Sequence, residues 1–251
     1  LLGNLKGFDP DANDRSIITL GIDRYMLAKL DTFVARVRKA YEDYDLHVVH
    51  RLLVDFVTVD LSAVYSDVTK DRLYSDALDS PSRRAAQVVL YECLRAVATL
   101  SAPILAFTAE DIWTYMPRRK GEPDSVHMAL FPPTSDTASS AEFVMEFGKL
   151  LDWREKVTKA LEPFRAEKRK SVDARVTIAS DDLVLRTYAD ELADLFIVSD
   201  VRLVAGATGE VTVAVHDGPK CERCWKHFEK LAADPPDVCE RCATALAGLK
   251  A

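Results

Sequence analysis

Four of the five cysteines fall near the end of the chain, as Cys221-Glu222-Arg223-Cys224 and Cys239-Glu240-Arg241-Cys242, with fourteen residues between the pairs. A two-residue gap inside each pair lets both sulfurs face one ion from a tight knuckle. Two such knuckles complete a tetrahedral site for a single zinc. All four positions are filled by protein, so the expected metal is structural and no catalytic position stays open. The ligands must be thiolates, and Lys220, Arg223 and Arg241 lie close enough in sequence to help hold that negative charge. The competing readings are two disulfides or a redox pair. Nothing marks secretion, and a redox Cys-x-x-Cys comes singly. His216 and His227 are spare imidazoles that four cysteines make unnecessary. Cys93, inside the apolar helical run from Ala85 to Leu100, is expected to be a small buried residue.

The segment from Lys220 to Ala251 has a thin apolar set, mostly Trp225, Phe228, Leu231, Val238, Leu246 and Leu249. Below roughly 40 residues a fold usually needs a metal or a disulfide, and structural zinc supplies on the order of 10 kcal/mol. Trp225 directly follows Cys224 and stands among Arg223, Lys226 and His227. An aromatic fixed on a knuckle between cations suits an unpaired base, whose stacking is worth roughly 1–3 kcal/mol. It would equally serve as core for a core-poor module, and the residues leave both readings open. A second basic stretch, Arg165, Lys168, Arg169, Lys170 and Arg175, sets five cations in eleven residues against Glu167 and Asp173. Elsewhere, His47 and His50 are three apart on a helix with no third ligand in view, and helix-surface or packing roles are favoured over metal binding. No glycine-rich phosphate loop or nucleophile elbow occurs, so no active site is expected in this chain.

The elements that position these residues change character along the chain. Residues from about Arg15 to Pro117 read as helical. Ile22, Met26, Leu30, Phe33, Val37 and Tyr41 mark one face of a first helix. Asp45 is placed to cap a second helix carrying Leu46, Val49, Leu53, Phe56 and Val57. A third, Arg83 to Leu100, is apolar nearly all round, as at the centre of a bundle. Pro103 marks a break before a fourth helix, which begins at Thr108 with a capping-box pattern. Short connections argue for an antiparallel helical bundle. Arg118 to Ser140 is polar and proline-bearing and reads as a linker. A helix from Ala141 to about Lys170 then precedes strands at Ala174–Ile178, Leu195–Val204 and Val211–Val215, a small α+β unit. The expected organisation is a mainly α chain: a bundle over 1–118, a linker over 119–140, an α+β junction domain over 141–218, and a four-cysteine zinc module over 219–251.

Composition sets outer limits. Of 251 residues 48% are hydrophobic, which excludes a wholly disordered or low-complexity chain. Thirty-three Lys and Arg against 40 Asp and Glu give a net charge of −7, so a bulk basic coat is excluded and any nucleic-acid contact must use local patches. No apolar stretch approaches the roughly 18 residues of a membrane span. The opening Leu1-Leu2-Gly3-Asn4 carries no initiator Met and no signal pattern, and reads as a piece of something longer.

Several runs resemble a known family. Asp60-Leu61-Ser62-Ala63-Val64-Tyr65, Lys70-Asp71-Arg72-Leu73-Tyr74 and the run from Ala102 to Trp113 resemble the anticodon-binding domain of class I aminoacyl-tRNA synthetases. Leu195-Phe196-Ile197-Val198-Ser199-Asp200-Val201 and Lys220-Cys221-Glu222-Arg223-Cys224-Trp225 narrow the resemblance to bacterial-type isoleucyl-tRNA synthetases, over essentially the whole chain. The short join Lys170-Ser171-Val172-Asp173-Ala174 departs from the family pattern. The resemblance implies the C-terminal region of a cytoplasmic, monomeric enzyme that attaches isoleucine to its tRNA with ATP. The two ATP-handling signatures do not occur here, so ATP would be handled only by the full-length enzyme and this region alone should not aminoacylate. One structural zinc on Cys221, Cys224, Cys239 and Cys242 is implied, with the anticodon stem-loop of isoleucine tRNA as partner and neither membrane nor DNA. Trp225 would stack, Arg223 and Lys226 would contact phosphate or base edges, and Arg165, Lys168, Arg169, Lys170 and Arg175 would add backbone attraction. The alternatives are the zinc-finger region of a DNA-repair glycosylase-like protein and a zinc-stabilised protein-interaction scaffold.

Overall fold

The computed structural model describes residues 1–134 and 137–250, with the side chains of 137–139 and 249–250 left aside. The chain divides into two compact units. The first comprises Leu1–Asp67 and Asp79–Val144; the second comprises Val68–Leu78 and the residues from Met145 on.

The first unit is helical. α1 (Gly21–Glu42) buries Ile22, Met26, Leu30, Phe33 and Val37, the face that the sequence periodicity marks. It packs on α2 (Leu46–Asp55) and on α4 (Pro81–Ser101). α4 starts cleanly, because Pro81 sits at the first position and the Ser80 hydroxyl accepts from the Arg83 amide at 3.1 Å. Its Ala85, Ala86, Val88, Val89, Leu90, Tyr91 and Leu94 are buried, so it is apolar on almost every side. Each large apolar side chain enclosed this way contributes roughly 1.5–3 kcal/mol. Phe33 and Phe56 stack with ring centroids 4.1 Å apart, and buried Asp23 accepts the Tyr65 hydroxyl at 2.8 Å. Phe56–Ser66 wind as π-helical turns, which sequence periodicity did not indicate. The chain breaks around Pro103, and α5 (Ala106–Tyr115) follows.

One local expectation is corrected here, and two others gain detail. The α5 cap is Leu105 with no side-chain bond, so the Thr108 capping pattern is unused. Asp45 does occupy the α2 cap position, but its backbone carbonyl rather than its carboxylate accepts the helix amides. The proline-bearing stretch after Tyr115 is tied down in part: Trp113 donates to the Pro123 carbonyl at 3.0 Å, and the Glu110 carboxylate accepts from Val126 N–H at 2.9 Å.

The second unit takes α3 (Asp67–Ser75) from Val68 onward, the later part of α6 (Thr137–Ala160), and α7 (Glu162–Ala166). A three-stranded sheet of order β2-β1-β3 follows. β1 (Ala174–Ala179) runs parallel to β2 (Asp200–Val204) and antiparallel to β3 (Glu210–Val215). Ala174, Val176 and Ile178 are buried and alternate with partly exposed neighbours, the period-two pattern of a half-buried strand. The crossover to β2 contains α8 (Leu183–Thr187) and α9 (Leu192–Phe196).

The expected strand from Leu195 is therefore too long at its start. Leu195 and Phe196 close α9, Ile197 turns with φ of 59°, and Val198 N–H reaches back to Ala193 O at 2.9 Å. A continuous apolar run suits a buried helix end as well as a strand, and the left-handed cap decided between them. The preceding helix also ends early, at Ala160 and then Ala166, short of Lys170. α10 (Glu240–Lys250) closes the described chain.

Candidate metal centre

The zinc module begins as a short antiparallel bridge between Lys220 and His227 that holds the first knuckle. Cys221 N–H donates to Lys226 O and Trp225 N–H to Cys221 O, each at 2.9 Å. The turn forces Trp225 to φ 64°, a left-handed conformation that costs a non-glycine residue on the order of 1 kcal/mol. Gly218 has a steric reason to be glycine, since a Cβ there would lie 2.0 Å from the Phe228 carbonyl oxygen. The second knuckle opens α10: Cys239 precedes its first residue and Cys242 lies in its first turn.

These two turns bring all four Sγ atoms within 4.8 Å of one another, with Cys224 and Cys239 3.9 Å apart. Tetrahedral zinc with Zn–S of about 2.3 Å requires sulfurs separated by about 3.8 Å. The thiols are unpaired with one another, and Val238, Phe228, Leu231 and Leu246 pack around them. The donor set, its spacing and its apolar wrapping fit one structural zinc, which would hold both knuckles together and leave no open position.

Electrostatics around the sulfurs is uneven. Burial alone would raise the Cys221 thiol, but backbone N–H groups of Cys224, Cys239 and Arg223 outweigh it and draw the pKa down to about 7. Burial pushes Cys224 up to about 11 and raises Cys239 and Cys242 as well. Arg223 Nη1 lies 3.5 Å from Cys242 Sγ and offsets charge that the thiolates would carry.

The module is clamped to α3. Arg223 donates to the Ser75 carbonyl and reaches the Tyr74 carbonyl at 3.5 Å, meeting the orphan acceptors at the helix C-terminus. Arg241 pairs with Asp71 at 2.7 Å and with Asp76 at 3.2 Å. Burial works against the Arg241 charge, but Asp71 and then Asp76 outweigh it and hold its pKa above the usual value. Lys226 pairs with Asp194 and, at 3.7 Å, with Asp71. Thus both Cys-Glu-Arg-Cys arginines point at the same helix. Asp71, Asp76 and Asp194 are the site residues that the sequence did not single out. Asp71 lies inside a run noted only for its resemblance, and nothing local signals its partner.

The remaining expected contact residues divide into two sets. Trp225 is 54% exposed, and Lys170 Nζ sits 4.6 Å from its ring centroid. Arg165, Lys168 and Arg169 are exposed. By contrast, Arg175 is 13% exposed and bonds Asp200 (2.7 Å), Asp217 (2.6 Å), Glu229 (3.1 Å) and His216 (3.1 Å). Asp200, His216 and Glu229 would by themselves make a metal-like group, but the Arg175 guanidinium stands among them as their cation. Lys226 is buried, and Arg223 is committed as above. Asp173 ties the basic loop to the module: it accepts from Lys170 N–H and Lys220 Nζ, both at 2.9 Å, and lies 3.3 Å from His227 Nε2. His47 and His50 are exposed on α2, outside any metal-like group among the described residues, and Cys93 is fully buried.

Residues 23–180 match the family model of the anticodon-binding domain of tRNA ligase, well over half of the chain. The chain belongs to this family. Residues 218–245 further match the zinc finger found in FPG and IleRS. Among curated relatives, the isoleucine–tRNA ligase of Syntrophotalea carbinolica is 41% identical over 98% of the chain and 28% of the relative. That of Carboxydothermus hydrogenoformans is also 41% identical, over 100% of the chain and 29% of the relative. The Geobacillus kaustophilus ligase is 40% identical over 97% of the chain and 28% of the relative. This anticodon-binding-domain chain therefore spans a little over a quarter of the length of the relatives it matches. None of its described helices is long and apolar enough to cross a membrane.

Proposed function

We propose that the chain is the tRNA-recognising, zinc-binding C-terminal region of an isoleucine–tRNA ligase and binds the anticodon stem-loop of isoleucine tRNA. The supporting observation is Trp225, a half-exposed indole strained into a left-handed turn by a cysteine knuckle, with the Lys170 ammonium against its ring. In an RNA loop the bases can splay out and offer their faces to such a ring. Lys170, Lys168, Arg169 and Arg165 would meet the neighbouring phosphates, and their clustering reconciles RNA binding with the net charge of −7. Arg175, Arg223 and Lys226 serve in this reading as the frame that holds Trp225 and the basic loop, because their charges are already matched within the unit.

The helices of the first unit act as an antiparallel bundle against the anticodon stem. Isoleucine activation with ATP belongs to the part of the enzyme outside this chain, which functions as a monomer in the cytoplasm. Bound zinc supplies a rigid cross-link between the knuckles and no chemistry.

Binding of labelled isoleucine tRNA transcript, its anticodon-swapped version and duplex DNA tests the reading. Preference for the native transcript by tenfold or more is expected, with a loss of similar size in Trp225→Ala. Equal binding to both transcripts defeats anticodon reading, and preference for duplex DNA favours the glycosylase-like alternative.

A further inference from the structure

Asp173 touches both parts that meet at the Trp225 indole. One carboxylate oxygen accepts from the Lys220 ammonium at 2.9 Å and lies 3.3 Å from His227 Nε2, and the other accepts from the Lys170 backbone N–H at 2.9 Å. Lys220 and His227 are the bridged residues on either side of the first knuckle, so one side chain grips both legs of the turn that presents Trp225. The Asp173 carbonyl in turn accepts from His216 N–H at 2.9 Å, just beyond β3, which fixes its own backbone. Burial works against the charge of this carboxyl, but its bonds to Lys220, Lys170 and His227 outweigh it and hold the pKa below the usual carboxylate range. Lys170 Nζ stands over the Trp225 ring, 4.6 Å from its centroid, while the indole stays half-exposed. An ammonium over one face leaves the opposite face for a planar ligand.

We propose that Asp173 is the positioning residue of a one-sided stacking platform: it holds the Lys170 backbone against both legs of the knuckle, so that the ammonium covers one indole face and an unpaired base stacks on the other. The inference rests on the tRNA reading for its ligand, whereas the pairing of Lys170 with Trp225 stands on contacts within the second unit alone. A lysine on an untethered loop would have to be ordered when the base arrives, and a clamp on its backbone removes part of that cost beforehand.

The test uses the full chain, zinc-loaded. Without RNA, iodide quenching of tryptophan fluorescence is compared with acrylamide quenching. Trp113 and Trp153 are buried, so Trp225 dominates both, and the ammonium beside it favours the anionic quencher. The iodide-to-acrylamide ratio is expected to fall roughly twofold in Lys170→Met and to hold in Lys170→Arg. It is expected to fall by a similar factor in Asp173→Asn, which keeps one zinc per chain but has one acceptor oxygen where the carboxylate has two. With isoleucine tRNA transcript as probe, Asp173→Asn is expected to weaken binding roughly two- to fivefold in the native background, and to add nothing to the loss in a Lys170→Met background. A carboxylate that merely supports the fold would give losses that add. A native quenching ratio in Asp173→Asn overturns the positioning role, as does an additive loss in the double variant. If Asp173→Asn loses its zinc, a native ratio in Lys170→Met overturns it instead. Absence of tRNA binding to the native chain overturns the parent reading and the stacking platform, and the quenching ratios then decide by themselves whether Asp173 positions Lys170.

Discussion

The helical unit and the zinc module hold themselves together by different physics. In the first, α1 and α4 enclose large side chains such as Met26, Phe33, Val37, Leu90 and Leu100, and the buried Asp23 carboxylate is matched by the Tyr65 hydroxyl. In the module, four sulfurs, Val238 and a handful of half-buried apolar residues do what a core would do, and a lattice of ion pairs to α3 and Asp194 completes the surface. The first is vulnerable above all to cavities. The second is vulnerable to protons and chelators.

The largest break in that contrast comes from the metal. Cys239→Ser, or a strong chelator, should cost the module on the order of 10 kcal/mol of metal-linked stability and unfold residues 219–250. The helical unit should keep its circular dichroism and amide protection, and a metal-free chain with a fully folded module would overturn the zinc assignment. The converse variant is Phe33→Ala, which removes the stacking partner of Phe56. It should lower unfolding free energy by about 3–5 kcal/mol in denaturant titrations while elemental analysis still finds one zinc.

Protons sharpen the comparison next. With the module unfolded in the absence of metal, its four thiols carry their protons at pH 7, because a free cysteine titrates at about 8.5. Zinc binding should therefore release about three to four protons, measured by calorimetry in buffers of different ionisation enthalpy. Release of one proton or none would contradict thiolate ligation by all four.

Asp182 gives a smaller effect away from the metal. The Trp153 indole N–H donates to its carboxylate at 3.0 Å and lowers its pKa; burial opposes this, and the Val184 amide assists. A lowered folded-state pKa adds stability above the unfolded value near 4, and that stability is lost as pH falls through the folded value. Asp182→Ala should cost about 1–2 kcal/mol at pH 7, and the difference from the native chain should shrink in acid. A pH-independent difference would remove the carboxylate from the explanation. The smallest effect is expected for His47→Ala with His50→Ala: both are exposed on α2, so stability should move by less than about 0.5 kcal/mol and metal content should not change.

The cysteine quartet was legible because its ligands pair across two residues, so local spacing carries the geometry. The α1 face was legible for the same reason, as a helix repeats within its own sequence. Long-range charge matching was not. A count of cations between Arg165 and Arg175 cannot tell that Lys170 lies against an indole while Arg175 is ringed by three carboxylates and an imidazole. Likewise, Arg241 and Asp71 meet only after folding, and no periodicity announces the pair. The start of β2 was misjudged because Leu195–Val198 has no alternation, and a left-handed Ile197 is not a signal that an apolar run displays.

Cys93 gives the molecule an internal control. Its sulfur is sealed within α4, and burial raises its pKa, so alkylating reagents in native buffer should pass it by. Every label that the folded chain takes up then comes from the four knuckle positions. The mass of the labelled protein reads ligand by ligand how far the metal has let go, and full unfolding appears as the fifth adduct.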